Sequence, residues 1–191
     1  SDSRSVRRKV FDALSHLGPT VGQRAVERLD DPRWFVVRNM LALLGRVEPV
    51  PEDFDPLEYT RHGDARVRRE AFVLAFRDGS RRARTLAQAL GEEDERLVRM
   101  ALLELQDGIP ETLVPTVVNR ALKGDHPPEI RAMAARALRG VGSTLARDAL
   151  IGVCRSGTSF FRRARLAHPT PAVVAALRVL ARIGSAEAML A

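Results

Sequence analysis

Arginine is the residue of this sequence with the most chemistry to offer: of 31 basic side chains, only Lys9 and Lys123 are lysines. A guanidinium stays charged and forks onto carboxylates and phosphates, so several of them in register would make an anion-binding strip. Arg38, Arg68, Arg99 and Arg131 are such a set, each following an apolar residue (Val37, Val67, Val98 and Ile130) at intervals of 30, 31 and 32 residues. Val6-Arg7 starts the series 31 residues earlier. Asp64 and Glu95 stand four residues before Arg68 and Arg99, the spacing of helical ion pairs, which would tie those two into the structure. Trp34 and Pro127 hold that place before Arg38 and Arg131, which leaves these two more available to a ligand. A second candidate contact is Phe160-Phe161-Arg162-Arg163, paired aromatics framed by cations; Trp34-Phe35 is a third.

Catalytic chemistry has no comparable signal. No Ser/His/Asp arrangement, phosphate-cradling Gly loop or paired carboxylates stand out, so neither catalytic nor metal-binding residues are expected, and no cofactor. Cys154 is the one thiol. It has no partner for an internal disulfide or a zinc knuckle and suits a reducing compartment, which points to the cytoplasm. The sequence holds no apolar run of about 18 residues and opens without the charged and apolar regions of a signal peptide.

The elements that must position the arginines are helices. Leu, Ala and Val dominate an apolar content of 45% over 191 residues, while strand-favouring aromatics are few. After each apolar-Arg anchor, apolar residues recur at helical spacing, as at Val98, Ala101, Leu102 and Leu105. Second helices are expected between the anchors, at 21–29, 82–90, 113–122 and 145–153, so the repeating unit is a helical hairpin. Asp31-Pro32, Asp64, Asp94 and Pro127-Pro128 mark helix starts, and Gly18, Gly45, Gly91, Gly124, Gly142 and Gly184 mark ends. Residues 47–63 read as a degenerate unit whose first helix is reduced to a turn or two. Laying 136–142 over 178–184 gives a sixth copy at an interval of 42, with an inserted loop at 155–169. One alternative register puts Val36 in place of Val37 as an anchor and turns Arg38 by about 100°.

The stretch from Asp30 to Gly45, followed by Asp64-Ala65-Arg66-Val67-Arg68-Arg69-Glu70-Ala71, resembles the short HEAT repeats of bacterial proteins, similar to those of phycobilin lyases. The resemblance implies an all-α solenoid of about five hairpins in a right-handed superhelical stack, forming a single domain over 1–191. Such repeats are commonly interaction scaffolds. Enzymes with similar repeats include a di-iron hydroxylase that binds metal through His-Glu pairs; here Leu, Gly, Pro and Pro follow His16, His62, His126 and His168. They also include a DNA glycosylase group, for which Trp34 beside Asp30 and Asp31 is the candidate cleft.

The expected function is therefore a non-catalytic scaffold that binds a protein or acidic peptide through its concave face and the 155–169 loop. Nonspecific nucleic-acid binding by an Arg-lined groove is the alternative, favoured by a net charge of +7. Sparse aromatics and a longest basic run of three weigh against it. The chain opens without Met and stops at Met189-Leu190-Ala191 inside an expected helix, so a segment of a longer protein is expected, with that protein's other domains as further partners.

Overall fold

The computed structural model describes residues 5–6, 9–10, 13–14, 19–158 and 164–190, with side chains described at all of these except 19, 156–158, 164–165 and 185–190. Two compact units divide the chain, Ser1–Arg82 and Ala83–Ala191. Helices build both, all but the last of them too short to be stable alone in water.

In the first unit, α1 (Pro19–Val26), α2 (Trp34–Leu44) and α3 (Ala65–Ala75) surround a core that includes Ala25, Leu29, Val37, Leu41, Leu44, Val67 and Ala71. Val37 is buried and Val36 only half so, which sets the register with Val37 as the anchor. Residues 47–63 between α2 and α3 hold one short helix, a 3-10 segment at Pro56–Arg61. Asp55 caps it by accepting from the Leu57 N–H, and Phe54 stacks on Tyr59 with ring centroids 6.1 Å apart. Two arginines clip this irregular stretch to the helices. Arg77 donates to the Gly45 carbonyl and pairs with Glu48, while Arg81 bridges Asp55 and Asp78.

The second unit contains α4 (Arg82–Leu90), α5 (Glu95–Glu104), a composite helix α6 at 111–122, α7 (Pro128–Ala137), α8 (Thr144–Cys154) and α9 (Pro171–Leu190). Arg82 itself falls at the end of the first unit. The composite helix passes from 3-10 geometry at Glu111–Leu113 through α at Val114–Thr116 to π at Val117–Leu122. Asp94 starts α5 by accepting from the Arg96 N–H, and Pro128 starts α7 where its missing N–H costs nothing. Val98, Ala101 and Leu102 of α5 with its C-cap Leu105, and Ile130 and Ala134 of α7 with its C-cap Leu138, are buried, the helical periodicity translated into a core. After α7 the turn is made at Gly140, whose φ of 79° favours glycine, two residues ahead of the Gly142 stop expected from sequence. Gly184, another expected stop, lies inside α9.

The segment 155–169, read from sequence as a loop, carries a two-stranded antiparallel ribbon, β1 (Arg155–Thr158) and β2 (Ala164–Leu166). The chain leaves and returns at the same place, the C-terminus of α8, where the Ala167 N–H donates to the Cys154 carbonyl at 2.8 Å. Outgoing and incoming backbones are then close enough to pair. α9 returns to pack on both α7 and α8.

Candidate functional site

The four anchor arginines do not form a row of idle charges; each has a contact of its own. Arg38 approaches the Glu70 carboxylate at 3.9 Å and the Asn39 side-chain oxygen at 3.3 Å, joining α2 to α3. Half burial raises the Glu70 carboxyl above its ordinary range, against the lowering pull of Arg38, Arg46 and Arg69. Arg68 donates to the carbonyls of His62 and Gly63, at 2.9 and 3.2 Å. Asp64, the partner that the i, i+4 spacing suggests for Arg68, instead accepts from both the backbone and the guanidinium of Arg66, with the ion pair at 2.8 Å. Arg131, expected to be among the more available, donates through Nε to the Leu122 carbonyl at 3.0 Å and so pins α7 to the end of the composite helix. That carbonyl sits among the last of its helix, where a cation completes an unpaired acceptor.

Trp34 is likewise engaged. The Arg66 guanidinium lies 3.3 Å from the centre of its ring, and Phe35 meets it edge-on at 5.9 Å. The same Asp-x-Arg clamp recurs one repeat earlier, where Asp31 accepts from the Arg33 N–H and pairs with its guanidinium at 2.7 Å. These hydrogen bonds hold the carboxyls of Asp31 and Asp64 down to about 2. A glycosylase cleft needs an open aromatic wall beside an unengaged acid. Here one face of Trp34 carries Arg66 and the Asp31 carboxylate is clamped by Arg33. The clamp was readable as Asp31-Pro32-Arg33 and Asp64-Ala65-Arg66, but only the aspartates drew notice, as helix starts.

Phe160, Phe161, Arg162 and Arg163 lie outside the described residues. Among the described ones, no group of three or more His, Cys, Asp or Glu side chains is placed to hold a metal ion, and no helix is long and apolar enough to cross a membrane.

A concavity of the second unit lies along α7 and α9, with the end of α5 at its margin, and holds about 1060 Å³. Met133, Val174, Ala175, Val179 and Ala181, with Pro169 and Pro171, give it an aliphatic lining. Arg136, Arg139, Arg178 and Arg182 add four guanidiniums, against Asp107 as the single acid among the lining residues. All four arginines are exposed. Among the described residues, no ion pair joins Arg136, Arg139 or Arg178, in contrast to Arg24, Arg33, Arg66, Arg77 and Arg81 of the first unit, each with a carboxylate within hydrogen-bonding reach. Arg99, alone of the anchor arginines, reaches this groove's edge: its Nη1 lies 3.6 Å from the Met133 sulfur.

Helical hairpins stacked on one another define an α-solenoid. Residues 83–169, all within the second unit, match the family model described as HEAT repeats. HEAT repeats generally serve as protein–protein interaction scaffolds. No curated protein matches the chain.

Proposed function

We propose that this protein is a non-catalytic interaction scaffold that holds a polypeptide partner in the groove along α7 and α9. One observation carries the reading: an aliphatic trough of about 1060 Å³ whose lining carries four arginines against one acid, with Arg136, Arg139 and Arg178 in no ion pair among the described residues. An exposed apolar surface rimmed by charges of one sign is the mark of an interaction site, and the like charges repel one another until an opposite charge meets them. Small-molecule sites span roughly 300–1000 Å³, so this groove is ample for a stretch of chain. The segment 155–169 joins α8 to α9 along the chain, and its Phe160, Phe161, Arg162 and Arg163 are proposed as an auxiliary contact. The lone Cys154 supports a cytoplasmic setting.

The test is selection of displayed random peptides on the intact chain, with immobilised duplex DNA as the competing bait. A scaffold enriches a family of peptides whose binding weakens when Phe160 and Phe161 become Ser or when groove arginines are reversed. Nucleic-acid binding is the second reading, favoured by Arg136, Arg139 and Arg178, which join no ion pair among the described residues. It would appear as tight duplex binding with no peptide enriched, and with log K falling against log salt at a slope of about −3.6 for four neutralised phosphates.

A further inference from the structure

We infer that the partner segment seated along α7 and α9 is acidic and carries aliphatic side chains; this rests on the scaffold reading and names the chemistry of its ligand. Two independent features converge. Laying 136–142 over 178–184 puts Arg136 and Arg178 at the same place in successive repeats, so they stand on neighbouring helices at about one helix spacing, roughly 8–10 Å. Both are exposed and without an ion-pair partner among the described residues. Local structure accounts for Arg136 only in part, since a cation in the last turn of α7 is favoured by the helix dipole. Arg178 sits eight residues into the 20-residue α9, far from either end, and has no such reason.

The groove's apolar lining decides between classes of anion. Met133, Val174 and Val179 offer aliphatic surface with no aromatic ring to stack a base, and a phosphate backbone brings nothing that would fill it. Glutamates or aspartates interleaved with leucine-like side chains satisfy both parts, carboxylates forking onto guanidiniums while the apolar groups leave water. Val174 and Leu177 are large apolar side chains left exposed on the same helix, as a binding face without its partner would leave them.

The probe is a fluorescein-labelled peptide of twelve residues, glutamate with leucine at i, i+4 spacing, titrated with the full chain and read by anisotropy. Three companions accompany it: the same peptide with serine for leucine, a single-stranded oligonucleotide of equal charge, and the chain carrying R136E and R178E together. Reversing two exposed charges removes attraction and adds repulsion at each, about tenfold in Kd overall. Both substitutions lie on exposed positions, and an unchanged circular dichroism melt verifies the fold. The inference expects the doubly reversed chain and the serine peptide each to bind about tenfold or more weakly, and the oligonucleotide to bind more weakly than the leucine peptide. Equal binding by the reversed chain overturns it, as does a serine peptide as good as its parent, an oligonucleotide that binds tighter, or no peptide binding at all. If peptide selection still enriches a non-acidic family, the scaffold stands while this inference falls; if selection enriches nothing, the scaffold reading itself fails.

Discussion

Replacing Leu102 by Ala while separately replacing its neighbour Leu103 by Ala would test the packing logic within a single helix turn. Both are leucines of α5, yet Leu102 is 1% exposed and Leu103 is 50% exposed. Truncating Leu102 removes three carbons from a dry site, about 2.4 kcal/mol at 0.8 per buried carbon group. The unfilled space adds a cavity cost that brings such changes to about 3–4 kcal/mol. With a urea m-value of about 2 kcal/mol/M, the midpoint should fall by roughly 1.5–2 M with little change in slope. Leu103→Ala keeps half its side-chain surface in water either way and should cost under about 1 kcal/mol, helped by alanine's helix propensity. Far-UV circular dichroism in urea reads both. Equal losses, or a Leu102→Ala loss below about 1 kcal/mol, would refute the assignment of the Val98, Ala101, Leu102 and Leu105 face as core.

Other outcomes follow from the clamps. Arg131→Met keeps the aliphatic stem but deletes the bond to the Leu122 carbonyl, and a thermal melt should register about 1.5–3 kcal/mol, the usual worth of a hydrogen bond from a charged donor. Asp31, Asp64 and Asp78 hold folded-state values of about 2 against an ordinary 3.9 or so. A depressed carboxyl contributes stability that is fully present above its unfolded value and is lost as pH falls through its folded one, so stability should decline from about pH 4 toward pH 2. Asp64→Asn should flatten part of that decline in acid melts; an unchanged acid limb would contradict the clamp. Glu70 works with the opposite sign: its raised value favours the folded state at low pH, and that contribution fades as pH rises through the folded value. Burial also raises the Cys154 thiol, so it should react with Ellman's reagent far more slowly than free cysteine until the chain is unfolded.

The repeat was legible because burial acts on every copy alike. Val37, Val67, Val98 and Ile130 all reach the core, so a period near 31 residues appears directly in the sequence. The groove is less legible, because the period marks the residue after each anchor and not the residues that line it. Those arginines make local contacts, to Glu70, to the His62 and Gly63 carbonyls, to Met133 and to the Leu122 carbonyl. The groove uses the other end of the helix, at Arg136 and Arg139, and needs α9 beside α7 across the 155–169 segment. Its signal lay in the overlay of 136–142 on 178–184, which had served only to count repeats. The ribbon escaped notice for a different reason. Strand pairing there comes from the return of the chain to the end of α8, and composition carries no trace of that closure.

The measurement that bears most directly on a scaffold with an acidic ligand is a ¹H–¹⁵N correlation titration of the chain with the glutamate–leucine peptide. The account predicts progressive shifts concentrated at Met133, Arg136, Arg139, Val174 and Arg178, saturating together and abolished by R136E with R178E. Shifts confined to the first unit, or none at any peptide concentration, would contradict it.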